Sequence, residues 1–325
     1  MTSSPQTSGA LGFWLRLLGR LPLGLLQAFA ALVASMLAWF PEKGLLCTIR
    51  RNLQLAFPEW SPQQINQISQ RALHHQLLSA VEFVKCWQES PERNLKRIQK
   101  VTGEELLTQA LQHPNGCMAI VPHYGNWEMM NAWVNQFGTP MIMYKPDNHP
   151  DVNALVLAAR TRLNTILAPT DETGVRQIFR ALKQGGFTII LPDHIPDASG
   201  GMLSDFFGIP VLTSTLASKL AQKTQCAVVQ LSCIRQAHDP QSFEVTVELA
   251  HPDMLSRDLQ QSLNAMNHSM EQLIRRAPEH YHWGYKRYKA TPHLTDYYHV
   301  DDATATVMRQ QAHHIAQQHA LNSAN

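Results

Sequence analysis

Residues 21–41, LPLGLLQAFAALVASMLAWFP, carry no charged side chain. This run constrains the fold more than any other feature. A helix of about twenty residues rises about 30 Å, the thickness of a bilayer hydrocarbon core, and a helix apolar on every side must be covered on every side by protein or lipid. Arg16 and Arg20 precede the run, Lys43, Arg50 and Arg51 follow it, and Trp14 and Trp39 stand near its ends, where interfacial aromatics are favoured. The reading is an N-terminal membrane anchor over residues 1–42. A buried core helix and a cleaved signal peptide are the competing readings; the apolar run is longer than most signals carry and its cleavage site is poor. Positive charge flanks both ends almost equally, so the charge asymmetry sets no orientation, and a helix lying in the interface stands beside a spanning one. The basic, amphipathic stretch RRNLQLAF at residues 50–57 also suits a membrane surface.

The remainder alternates between helical and strand patterns. Helical periodicity covers residues 61–87, 103–112, 126–136, 151–164, 174–184, 212–223 and 257–276. Short apolar runs bounded by turn residues, CMAIVP at 117–122, PMIMY at 140–144, FTIILP at 187–192 and CAVVQLSCIR at 226–235, read as strands, and SFEVTVELA at 242–250 alternates like a half-exposed antiparallel strand. Residues 193–210 read as a long loop, and the polar stretch 291–325 as a partly ordered tail after a domain spanning 43–290. Continuous apolar strands between helices predict an α/β sheet covered on both faces, with chemistry beyond the carboxyl ends of the strands. CMAIVP leads into His123 and FTIILP into Asp193, so neighbouring strands would bring both groups to one rim. A net charge of +2 excludes a general nucleic-acid binder. The five cysteines, with no C-x-x-C pair, read as reduced thiols.

The block VPHYGNWEMMN, residues 121–131, carries the chemistry. His123 and Glu128 would point apart on one continuous helix, but they can meet if His123 lies on the strand exit and Glu128 on the next helix, with Gly125 and Asn126 supplying turn and N-cap. A histidine oriented by a carboxylate is a general base for an alcohol, and the helix N-terminus offers donors to an oxyanion. A capping interaction beside a surface histidine is the plain alternative.

The block resembles the H-x4-D/E signature of glycerolipid acyltransferases, and a larger set of blocks resembles the bacterial lipid A late acyltransferases. These are RNLQLAFPEWS (51–61), HYGNWE (123–128), YKP (144–146), RTR (160–162), GVRQIFRALKQGG (174–186), PDH (192–194), DFFGIPVLTST (205–215) and APEHYHW (277–283). The resemblance implies a glycerolipid-acyltransferase-like mixed sheet flanked by helices, with an N-terminal membrane-anchoring helix. It also implies an acyl carrier protein thioester as donor, a lipid A precursor as acceptor, and a place at the bacterial inner membrane with the catalytic domain on the cytoplasmic side. No cofactor, metal or nucleic acid is called for.

On this basis His123 deprotonates the hydroxyl of a 3-hydroxyacyl chain, Glu128 holds the imidazole, and the alkoxide attacks the thioester without an acyl-enzyme. Asn126, Lys145, Arg160, Arg162, Arg176, Asp193, Phe207 and Gly208 are the expected substrate-binding residues. The three arginines would meet either acceptor phosphates or sugar acids, or the acidic carrier, Asp193 would position a basic or hydroxyl group or cap its loop, and Phe207 and Gly208 would line the acyl chain or the site mouth. Two departures from the pattern matter. Glu128 stands where the wider superfamily more often has Asp, and Lys145 stands where the family usually has Arg, which offers a point charge in place of a bidentate fork. The competing readings are an acyltransferase for another glycolipid or a glycerophospholipid, a metal-dependent hydrolase using Asp193, His194 and Asp197, and a non-enzymatic membrane scaffold.

Overall fold

A computed structural model describes residues 9–323. The charge-free run forms only one helix of 15 residues, set off at a bend from the helix that precedes it. Helix α1 (Ala10–Arg20) and helix α2 (Leu23–Leu37) meet at 117°, and no single helix among the described residues is long and apolar enough to cross a membrane. Pro22 forces the break, because it begins a helix readily but cannot continue one. The bend is held from outside: Lys85 Nζ donates to the Gly19 and Leu21 carbonyls at 2.8 Å each, Gln88 Nε2 to the Leu15 carbonyl at 2.8 Å, and the Asp151 carboxylate accepts from the Gly9 and Gly12 amides. Leu23, Leu26, Ala30 and Ala34 are buried, while Leu25, Phe29, Leu32 and Met36, with Phe13, Trp14 and Leu17 of α1, are exposed. The run is apolar all round because it has two faces to satisfy, one against protein and one open.

Helix α3 (Gly44–Ala56) follows, then the long α4 (Pro62–Cys86), which starts in a capping box between Ser61 and Gln64 and packs against α2. The expectation that residues 50–57 face a membrane is corrected. Arg51 and Asn52 of α3 are buried; Arg51 donates to the Tyr297 and Val300 carbonyls, and Asn52 to the Trp283 and Tyr285 carbonyls.

Next come α5 (Pro91–Leu95), β1 (Ile98–Thr102), α6 (Glu104–Leu111), β2 (Cys117–Ile120), α7 (Trp127–Val134), β3 (Met141–Tyr144), α8 (Pro150–Arg162), β4 (Ile166–Pro169), α9 (Glu172–Lys183) and β5 (Phe187–Ile190). Residues 193–210 do not form the expected loop, and the helix expected from residue 212 starts later. Strands β6 (Gly201–Phe206) and β7 (Ile209–Ser214) form an antiparallel hairpin, and α10 (Leu216–Thr224) follows it. Strands β8 (Ala227–Gln236) and β9 (Asp239–Leu249) and helix α11 (Leu259–Arg276) complete the domain.

The main sheet has seven strands in the order β1-β9-β8-β2-β5-β3-β4, all parallel to their neighbours except the antiparallel β8–β9 pair. Successive residues of β2 feed opposite cores. Met118 and Ile120 pack on one side with α10 and α11, Cys117 and Ala119 on the other with α6 and α7. The stretch expected as a polar tail instead folds back: Leu294 and Tyr297 are fully buried, and helix α12 (Asp302–Ser323) packs on β7.

Candidate active site

Strands β2 and β5 are hydrogen-bonded neighbours in register, with Ile120 opposite Ile190. His123 and Asp193 each lie three residues beyond those partners, so the register delivers both to the same point of the rim. The His123 amide donates to Asp193 Oδ2 at 2.9 Å, and its Nδ1 lies 2.8 Å from Asp193 Oδ1. Asp193 is 1% exposed. Burial pushes its pKa up, but the charge and hydrogen bonds of His123 outweigh that and hold the carboxylate well below the usual range. With Nδ1 engaged by a carboxylate, Nε2 is the nitrogen left to exchange a proton with a substrate.

The turn after His123 is built by backbone requirements. Gly125 has φ of +68° and donates its amide to the His280 carbonyl, and a Cβ there would stand 2.0 Å from the Cys233 carbonyl oxygen, so only glycine fits. Asn126 then caps α7, accepting from the Met129 amide at 2.8 Å. Asn126 is fully buried and gives its Nδ2 to Glu82 at 3.0 Å, so it holds the turn and does not face a substrate.

The expectation that Glu128 orients His123 is corrected. Both Glu128 oxygens are taken by Arg160 of α8, at 2.8 and 2.7 Å, and the carboxylate on the imidazole is that of Asp193. The first turn of α7 aims Glu128 at α8, whereas the sheet register aims Asp193 at His123.

Three rings fix the plane of the imidazole. His194 stacks on His123 with centroids 3.8 Å apart and 1° between planes, Tyr285 stacks on the far side of His194 at 4.0 Å, and Trp127 meets His123 edge-on at 4.9 Å. Burial and the neighbouring positive potential of His123 lower the pKa of His194 to about 4 and that of His282 to about 4. Both are neutral near pH 7 and do not compete with His123 for a proton. His194 and Tyr285 have no part in the sequence-derived constellation. His194 lies in the PDH block of the family resemblance and otherwise reads only as a possible metal ligand with Asp193 and Asp197, and nothing in the spacing marks Tyr285.

Two cavities meet at this point. A larger one of about 440 Å³ is walled by Met130, Ile142, Met143, Ile189, Ile190 and Leu216, with Lys145 and Arg160 among its polar lining. A smaller one of about 220 Å³ lies against α4, lined by Leu77, Ala80 and Phe83. His123 and Trp127 belong to both linings. Lys145 and Arg160 are therefore at the site. Arg162 and Arg176 are exposed and line neither cavity; Arg162 donates to the Trp87 carbonyl and Arg176 lies 3.7 Å from Glu172. Phe207 and Gly208, expected to line the chain or the mouth, form the two-residue turn of the β6–β7 hairpin with φ of +52° and +72°. The Phe207 ring is buried against Phe57 and Trp283, and neither residue lines the His123 cavities. Cys117 is fully buried in β2 and its thiol pKa is pushed up to about 12 by burial, which removes it as a nucleophile.

The half-buried neutral histidines predict acid sensitivity. His194 and His282 have folded pKa values near 4 against 6.5 in the unfolded chain, and burial lowers His75 to about 3. The unfolded chain takes up protons first, so the stability these groups contribute is complete above pH 6.5 and is lost as pH falls toward about 4. Urea unfolding at pH 7, 6, 5 and 4.5 should show a midpoint that falls steadily, and a flat midpoint across that window would contradict neutral burial.

A His–Asp pair at the carboxyl ends of adjacent parallel strands, its aspartate buried and its histidine lining two cavities with apolar walls, is an arrangement suited to an α/β enzyme. The family comparison makes the class specific. Residues 7–290 match the family described as bacterial lipid A biosynthesis acyltransferase, and the chain belongs to that family. It is 26% identical over 236 residues to a lipid A biosynthesis acyltransferase of Haemophilus influenzae, covering 71% of this chain and 72% of the relative. It is 25% identical over 246 residues to the lipid A biosynthesis palmitoleoyltransferase of Escherichia coli strain K12, covering 75% and 78%. The lipid A biosynthesis lauroyltransferase of the same strain is 23% identical over 306 residues, covering 90% and 98%. The family match takes in α1 and α2 and stops before α12.

Proposed function

We propose that this acyltransferase of lipid A biosynthesis moves a fatty acyl chain from an acyl carrier protein thioester to the hydroxyl of a 3-hydroxyacyl chain on a lipid A precursor. The observation that carries the reading is the His123–Asp193 pair set in the wall shared by two apolar-lined cavities, which gives two hydrocarbon chains a common meeting point at one base. His123 Nε2 takes the hydroxyl proton, the alkoxide oxygen bonds to the thioester carbonyl carbon, the carbon–sulfur bond breaks, and the leaving thiolate receives the proton from the imidazolium. Asp193 keeps Nδ1 engaged and stabilises the imidazolium, while the His194–Tyr285 stack fixes the ring plane. No protein nucleophile takes part.

Lys145, exposed at the larger cavity and without an ion-pair partner among the described residues, is the cation that receives a substrate anion. Arg160 is neutralised by Glu128 and serves as a fixed wall. Arg162 and Arg176, outside the cavities, are assigned to the acidic carrier. The exposed apolar faces of α1 and α2 lie in the cytoplasmic surface of the inner membrane as a bent interfacial pair. Phe29→Ser with Leu32→Ser should reduce sedimentation with anionic lipid vesicles, and unchanged sedimentation would exclude this face as the attachment.

The central test is mass spectrometry of lipid A from cells with and without the protein, where loss of one acyl ester is expected and an unchanged pattern would overturn the reading. Direct transfer also predicts slow release of free fatty acid from the carrier thioester when acceptor is absent, since water can take the place of the hydroxyl. That leak should need His123 and fall when acceptor is saturating. Equal leak from wild type and His123→Ala would refute a shared base, and a stable acylated protein would refute direct transfer.

A further inference from the structure

Helix α2 reaches the active site through buried polar groups. Gln27 is the one polar side chain among the residues that α2 buries, at 6% exposure. Its Nε2 donates to Glu82 Oε1 at 2.9 Å and to the Pro240 carbonyl at 2.8 Å. Glu82, on α4, is 1% exposed, and its second oxygen accepts from Asn126 Nδ2 at 3.0 Å. Asn126 caps α7 through the Met129 amide and follows Gly125, two residues from the catalytic His123. Arg235 of β8 lies 3.4 Å from Glu82 and donates to Ser79 Oγ at 2.8 Å and to the His75 carbonyl at 2.6 Å, which supplies the charge that a buried carboxylate needs.

We propose that Gln27 and Glu82 are positioning residues of the active site, so that the N-terminal helix pair belongs to the catalytic apparatus as well as to the attachment surface. The proposal rests on the acyl-transfer reading above. A buried glutamine on a helix whose other buried residues are apolar has a desolvation cost that packing alone does not require. Its hydrogen bonds fix one oxygen of Glu82, which leaves the other aimed at Asn126. Without Gln27, Glu82 is free to turn toward Arg235, the Asn126 amide loses its partner, and the turn that sets His123 against Trp127 loosens. Misplacement of catalytic groups by about 1 Å can cost about 10²-fold in rate, so a loosened rather than broken turn should cost about tenfold.

The test uses the full chain and separates the two duties of α2. Gln27→Met keeps the length and volume of the side chain and removes its hydrogen bonds. It should sediment with vesicles like wild type, keep KM for the carrier thioester and lower kcat for transfer to detergent-dispersed acceptor by about tenfold. The exposed-face pair Phe29→Ser with Leu32→Ser should do the reverse, losing vesicle binding and keeping kcat in detergent. Gln27→Met turning over like wild type would overturn the relay. Equal loss of kcat in Gln27→Met and the exposed-face pair would overturn it too, since that would mark general damage to α2. Should Gln27→Met fail to fold, Glu82→Gln reads the same coupling, since Gln27 and Asn126 each use a different oxygen of Glu82 and glutamine replaces one of those oxygens by an NH₂ that cannot accept; wild-type kcat there would be equally fatal. Absence of transfer by wild type itself would instead overturn the acyl-transfer reading, so the two failures are distinct.

Discussion

His123→Ala should lower acyl transfer by about 10²–10⁴-fold, and Asp193→Asn should approach the same loss, about 10³–10⁴-fold, with the fold intact. The second expectation follows from tautomers. Asp193 accepts the Nδ1 proton of a neutral imidazole, which leaves Nε2 unprotonated for the substrate hydroxyl. An asparagine at 193 can present its amide NH₂ to Nδ1, which then favours the proton on Nε2, the nitrogen that must be empty. The negative charge that stabilises the imidazolium is lost at the same time. Asparagine retains an oxygen for the His123 amide, so the strand exit keeps its backbone bond. Steady-state kcat and KM with carrier thioester, checked by circular dichroism for fold, read the outcome. The loss should fall on kcat. Near-normal turnover by Asp193→Asn would remove Asp193 from the mechanism.

The division between what the sequence made legible and what it hid follows the range of the interactions. Strands β2 and β5 were readable because each is a short apolar run ended by a proline, and the site's rim followed from them. The identity of the orienting carboxylate was not. Glu128 is five residues from His123 and invites a local pairing, whereas Asp193 arrives from 70 residues away through a register that only the paired sheet defines. The β6–β7 hairpin was hidden because Phe207 occupies a left-handed turn position that Asn, Asp or Gly would have announced. The N-terminal run misled for a different reason. Covering by α4 and covering by lipid select the same apolar residues, so composition could not tell them apart, although Pro22 was a visible break. Residues 291–325 read as a tail because their composition is polar and their buried anchors, Leu294 and Tyr297, lie in turns outside any helix or strand, with the Tyr297 carbonyl held by Arg51 from the far end of the chain.

Breaking the Glu128–Arg160 pair should be the largest single loss of stability among the site variants. Glu128 is 7% exposed and Arg160 12%, and the two make parallel hydrogen bonds of 2.8 and 2.7 Å between α7 and α8. Removing one member strands the other charge in a poorly hydrated wall, which costs about 3–5 kcal/mol for buried pairs. Glu128→Ala and Arg160→Ala should each unfold at markedly lower urea concentration, and the double variant should recover much of that loss because no charge is then left unpaired. Activity at low temperature, where all three remain folded, separates the two roles that Glu128 has been given. A pair that fixes one wall of the larger cavity predicts similar losses of transfer in Glu128→Ala, Arg160→Ala and the double variant, with Glu128→Asp partly active because it keeps the charge on a shorter arm. A carboxylate that oriented His123 directly would instead make Glu128→Ala far worse than Arg160→Ala and leave Asp193→Asn mild. Measured side by side, these five variants decide which carboxylate serves the base and which serves the wall.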